Sequence, residues 1–133
     1  MSARSGSAWR WVPVLVWMAL IFALSAQAGL RVSDDVSVDG PIRHVVHIIV
    51  FGILAGLIAY ALGARSTGTP RLLWLAVLLT TAYGVTDEIH QSFVPDRSGN
   101  GFDVLLDATG ALIAAAIIHW WPRYLERRRL RAG

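Results

Sequence analysis

Residues 44–62 read HVVHIIVFGILAGLIAYAL, nineteen positions without a carboxylate, lysine or arginine. Roughly 20 apolar residues wound as an α-helix rise about 30 Å, the thickness of a bilayer's hydrocarbon core. The stretch therefore predicts a helix that crosses a membrane. Blocks of similar length lie on either side: Trp11–Ala28 before it, and Leu72–Ile89 and Val104–Trp121 after it. Hydrophobic residues make up 55% of the chain and charged ones 16%, a balance that argues against water as the main solvent. The linkers Gly29–Arg43, Gly63–Arg71 and His90–Asp103 leave no room for a second domain. One all-α domain over residues 1–133 is expected: a four-helix transmembrane bundle with a basic tail at 122–133. Gly52 and Gly56 are spaced as a notch into which another helix can pack, and Gly63, Gly68 and Pro70 end the second helix and reset the chain for the third.

The arginines give this bundle a direction. Arg4 and Arg10 precede the first block, Arg65 and Arg71 lie between the second and third, and Arg123, Arg127, Arg128, Arg129 and Arg131 follow the fourth. Basic loops stay in the cytoplasm, so both termini are expected there. On the other side Arg31, Arg43 and Arg97 are offset by Asp34, Asp35, Asp39 and Asp96. Trp9, Trp11, Trp74, Trp120 and Trp121 all fall at expected cytoplasmic boundaries, where an indole keeps its ring in lipid and its N–H among headgroups. The net charge of +3 is thus explained by topology, and the Arg127–Arg131 run reads as an anchor to anionic lipid, with no nucleic-acid partner. Without cysteine, disulfides and thiolate metal sites are excluded. Ala26-Gln27-Ala28 resembles a signal-peptidase site, but a first block long enough to span, with three more behind it, favours a retained helix.

This topology brings the ionisable residues of three helices to the outer end. Helix two enters at Arg43, His44 and His47, helix three leaves at Asp87, Glu88, His90 and Gln91, and helix four starts at Asp103 and Asp107. Charges at membrane depth cost several kcal/mol, so they are expected to face the bundle interior and pair. Helical spacing puts Asp87 on one face with Tyr83, His90 and Gln91, and Glu88 about 100° away with Gly84 and Gln91. Asp103, Asp107 and Gly110 share a stripe, as do Arg43 and His47. One reading is a salt-bridge network that pins the helices, with Arg97 clamping a carboxylate through both guanidinium nitrogens. The other is a site, with Glu88, Asp87 and His90 as acid–base candidates and Gln91, Arg97, Asp103, His47, His44 and Asp107 as binding residues. No cofactor is required. A divalent metal held by His44, His47, His90 and the aspartates is chemically permitted, yet the chain has no His-Glu-x-x-His pair, nucleophile elbow or phosphate loop. Ser25 and Gln27 are expected only to cap the first helix, and His119 to sit at the interface.

The run Asp87-Glu88-Ile89-His90-Gln91-Ser92-Phe93-Val94-Pro95-Asp96-Arg97, followed by Asp103 and Gly110, resembles the Asp-Glu-x-x-Gln-x-Phe-x-Pro-Gly-Arg signature of the VanZ-like family of small bacterial membrane proteins. His44-Val45-Val46-His47 with Phe51, Gly52 and Leu54 is similar to that family's Lys-x-x-His and aromatic-Gly pattern. Ala19–Phe22 with Leu24, Ser25 and Gln27 resembles the end of its first helix. The likeness runs from about Trp11 to Ile118. It departs at Asp96, where Gly is usual and where Pro-Asp suits a type I turn better than type II. It departs also at His44 for Lys and at Asp107 for Asn. The resemblance implies a multi-pass protein of the bacterial cytoplasmic membrane, with tolerance to the glycopeptide teicoplanin as the property behind the family's name. Partners would be the lipid bilayer and an envelope lipid, a cell-wall precursor or an amphiphilic antibiotic. An acid–base or metal-assisted enzyme acting on a lipid-linked substrate, and a purely structural protein, are the competing expectations. The oligomeric state stays open.

Overall fold

The computed structural model describes residues 8–28, 36–64, 70–97 and 99–132. Arg4, Arg31, Asp34, Asp35, Arg65 and Gly68, on which parts of the charge pattern and the turn after the second helix rest, lie outside the described residues. A 3-10 turn at Trp9–Trp11 leads into four helices: α1 Val12–Ser25, α2 Val36–Leu62, α3 Pro70–Gln91 and α4 Gly101–Ala132. The described residues contain no strand. The all-α, four-helix expectation holds, and α2, α3 and α4 are each long and apolar enough to cross a membrane.

The boundaries differ in three places. The apolar helical stretch Trp9–Ser25 is shorter than a full span and stops before Ala28. Its end is tightened by bonds from Ala26 N to Phe22 O and from Gln27 N to Leu24 O. α2 begins eight residues before His44 and carries Pro41 inside it. Near a helix start proline removes one ladder bond, while Asp39 in the first turn faces the positive end of the helix dipole. α4 runs through Pro122, so the expected tail is helix. Contacts four residues apart carry it onward: Arg123 Nη1 lies 2.8 Å from His119 Nε2, and the Arg128 guanidinium sits 5.6 Å from the Tyr124 ring centre. The end of α2 matches its sequence reading. Gly63 is left-handed with φ 75°, and the bonds Gly63 N to Tyr60 O and Ala64 N to Ala59 O form a Schellman cap.

Cross-helix contacts fix the topology. Arg43 meets Asp103 and His47 meets Asp107, the same separation twice, so α2 and α4 run parallel. Ser25 meets Asp87 and Met18 meets Tyr83, which makes α1 parallel to α3. The backbones of α2 and α4 touch at Gly52 and Gly110: a Cβ on Gly52 would lie 3.2 Å from the Gly110 carbonyl, and one on Gly110 would overlap the Ile48 carbonyl. A Cβ on Gly56 would meet nothing within 4 Å, so the expected Gly52-x-x-x-Gly56 notch is instead Gly52 against Gly110. α1 is tied on by Trp17 Nε1 donating to Val50 O at 3.0 Å and Tyr83 Oη donating to Met18 O at 2.7 Å.

Phe51, Leu54, Ile58, Leu73 and Ala76 fill the interior. Leu15, Val16, Ile49, Ile53, Leu78, Leu105, Ile113 and Ile117 face outward, while Asp87, Glu88, Asp103 and Asp107 are buried. Carboxylates inside and an apolar girdle outside are what a lipid solvent selects. At the bundle end formed by the start of α1 and the end of α4, Trp9, Trp74, Trp120 and Trp121 stand exposed.

Candidate functional site

At the opposite end, the last two turns of α3 divide their polar groups between two neighbours. Asp87 turns to α1: Ser25 Oγ donates to its Oδ1 at 2.6 Å, and Gln91 Nε2 donates to its Oδ2 at 2.8 Å. Both carboxylate oxygens are thus satisfied by neutral donors. Glu88, one residue on, turns to α4. Its Oε2 accepts from the backbone N of Asn100 at 2.7 Å, whereas Oε1 is buried without a partner among the described residues. Asn100 in turn caps α4, its Oδ1 accepting from Phe102 N at 3.1 Å, and Gly99 lies so close to the Glu88 carbonyl that a Cβ would be only 2.6 Å from that oxygen.

α2 and α4 complete this side. His47 Nδ1 and Asp107 Oδ1 are 2.8 Å apart, and Arg43 reaches Asp103 more loosely, at 3.5 Å. Asp107 is 99% buried and rests on Gly84, where an added Cβ would come within 2.7 Å of Oδ2. That oxygen has no hydrogen-bond partner. One candidate ligand atom from each of His47, Glu88 and Asp103 lies within 4.8 Å of the others. The structure therefore brings together His47, Glu88, Asp103 and Asp107, with Asp87 and Gln91 on the adjoining face.

Three expected members stand elsewhere. His90 stacks on Phe22 of α1 with ring centres 4.2 Å apart, and its Nε2 is unpartnered, so it is no hydrogen-bonded partner for Glu88. His44 is exposed and packs edge-on against Phe102. Neither belongs with the candidate metal ligands of the described residues. Arg97 clamps no carboxylate among the described residues. It lines a cavity of about 150 Å³ with Arg43, His47, Ser25, Asp87 and Gln91 on the polar side and Ile21, Leu24, Val46, Val50 and Phe51 on the apolar side. The turn carrying Arg97 also departs from expectation. Asp96 has φ 61°, and Arg97 N bonds Val94 O at 3.2 Å, so Asp96 takes the left-handed conformation that glycine takes in a type II turn.

Two participants were not foreseen. Ser25 is the α1 partner of Asp87 and not a simple cap. Asn100 links the cap of α4 to Glu88; its signal was present in Asn100-Gly101-Phe102-Asp103, an N-cap residue with an acid three positions later.

The family model described as VanZ/LLP1 matches residues 9–122, which takes in α1, α2, α3, α4 as far as Pro122 and every residue of this cluster. No curated protein and no solved structure matches the chain.

Proposed function

Because the chain belongs to the VanZ/LLP1 family, we propose that it is a cell-envelope membrane protein whose polar end binds an amphiphile with an anionic headgroup. The observation that carries this reading is Arg97, a guanidinium without a carboxylate partner among the described residues, in a cavity whose other wall is aliphatic. Asp87 lines the same cavity, but both of its oxygens are taken by Ser25 and Gln91, so the partly buried Arg97 favours a further anion, and Arg43 is half-exposed and only loosely held by Asp103. The aliphatic residues of α1 and α2 suit an acyl chain. On this reading the cluster end faces out of a bacterial cytoplasmic membrane, the termini lie inside, and teicoplanin, an acylated glycopeptide, is one amphiphile of the required chemistry.

Purified protein in neutral detergent is expected to be stabilised against heat by phosphatidylglycerol more than by phosphatidylcholine, and Arg97→Gln is expected to shrink the difference to the part that the Arg127–Arg131 run supplies. An equal response to both lipids in the wild type would overturn the proposal. Teicoplanin and vancomycin susceptibility of a sensitive Gram-positive host tests the finer reading, with selective teicoplanin protection lost in Arg97→Gln at equal membrane abundance. Orientation is tested through the absence of cysteine. Phe93→Cys is expected to react with an impermeant maleimide on intact cells, and Leu130→Cys only after permeabilisation.

An acid–base enzyme is the second reading, favoured by the free oxygen of Glu88. It predicts turnover of a lipid-linked substrate that Glu88→Gln abolishes without loss of binding.

A further inference from the structure

We infer that His47, Glu88 and Asp103 form a binding site for one divalent transition-metal ion at the junction of α2, α3 and α4. The three residues come from three helices, and their candidate ligand atoms lie within 4.8 Å of one another. Ligands about 2.1 Å from a shared ion sit about 3.4 Å apart in a tetrahedron. A shared ion would draw the three ligand atoms closer together than they stand.

Burial separates this cluster from an ordinary acidic patch. Glu88 is 93% buried and Asp103 97% buried. Glu88 Oε1 has neither solvent nor a hydrogen-bond partner, an arrangement that costs several kcal/mol for a bare carboxylate and that a cation relieves. Local charge points the same way. Glu88, Asp103 and Asp107 bring three carboxylates against His47 and Arg43, and Arg43 is 44% exposed and 3.5 Å from Asp103, its one ion-pair partner among the described residues. Even with His47 protonated the group is left one negative charge in excess.

Asp107 supplies the outer support that a histidine ligand needs. Its bond to Nδ1 fixes the imidazole ring and leaves Nε2 as the nitrogen able to coordinate. Gly84 makes the room for Asp107 to lie there. One imidazole and two carboxylates suit zinc or manganese better than calcium or magnesium, which prefer all-oxygen shells. The donor set differs from the sequence-based one: Glu88 enters, and His44 and His90 leave.

The site does not rest on the amphiphile reading: it shares only His47 with that cavity, and Arg97 and the cavity's apolar residues take no part in it. Its test is Co²⁺ titration of the full chain, purified in detergent with a non-histidine tag and stripped by chelator, followed by visible absorption and Zn²⁺ competition. One equivalent of Co²⁺ is expected to give ligand-field bands that one equivalent of Zn²⁺ removes. Glu88→Gln and Asp103→Asn are expected to weaken binding by at least about tenfold, and Asp107→Asn by about 10- to 100-fold through ring orientation. His119→Ala, at the other end of the bundle, is expected to titrate as the wild type. Glu88→Gln retains the acceptor for Asn100, and gel filtration verifies that each variant is folded. No saturable Co²⁺ binding by folded wild type would overturn the inference, as would wild-type affinity in both Glu88→Gln and Asp103→Asn.

Discussion

Asp87 and Glu88 are neighbours in sequence and equally hidden from solvent, yet the structure treats them differently. The Asp87 carboxylate closes a circuit between α1 and α3, with both oxygens occupied by Ser25 and Gln91. Glu88 gives one oxygen to the α4 cap and holds the other unmatched beside His47 and Asp103. About 100° of helical rotation separates a carboxylate that holds helices together from one that keeps capacity for a ligand. A saturated polar group stabilises; an unsaturated buried one is retained at a cost to stability, and function is the usual reason.

The largest predicted effect breaks the Glu88 side by moving its scaffold. Gly110→Val sets a branched side chain against the Ile48 carbonyl and the Gly52 backbone, neither of which can rotate away. A loss of about 3 kcal/mol or more is expected, visible as loss of the monodisperse peak in gel filtration. Next comes the Asp87 side. Ser25→Ala leaves Asp87 Oδ1 without its 2.6 Å donor and should lower stability by about 1–2 kcal/mol in thermal unfolding, with Ser25→Thr restoring most of it. A smaller change lies in the turn beyond both carboxylates. Asp96→Gly removes the strain of a left-handed aspartate and should raise stability by about 1 kcal/mol, with neither carboxylate's hydrogen bonds altered.

Much of this contrast is legible in the sequence, because helix periodicity sets direction. Offsets of three and four residues group Asp87 with Tyr83, His90 and Gln91, and in the structure that face meets α1, through Met18, Phe22 and Ser25. Glu88 groups with Gly84, and that face meets α4. The stripe of Arg43 and His47 likewise lies along that of Asp103 and Asp107. Partner identity across helices is what periodicity does not encode. A serine near the end of an apolar helix looks the same whether it caps the helix or binds a carboxylate 62 positions away. The Gly52-x-x-x-Gly56 pattern announces a close approach, but which glycine is used depends on where α4 crosses. Asp96 departs for a reason that local preference does not carry: Pro-Asp favours type I in isolation, while in the turn closed by Arg97 N and Val94 O Asp96 has a positive φ.

The smallest expected loss bears most directly on the contrast between the two carboxylates. Glu88→Gln keeps the side-chain shape and an oxygen for Asn100 N while removing a buried negative charge that is held at a cost, so it should lose no stability relative to wild type. The measurement is thermal unfolding of Glu88→Gln beside Ser25→Ala in one detergent. Glu88→Gln is expected to melt no lower than wild type, and Ser25→Ala clearly lower. An equal drop in both would mean that the two carboxylates belong to one structural network, and would contradict the division of labour drawn between them.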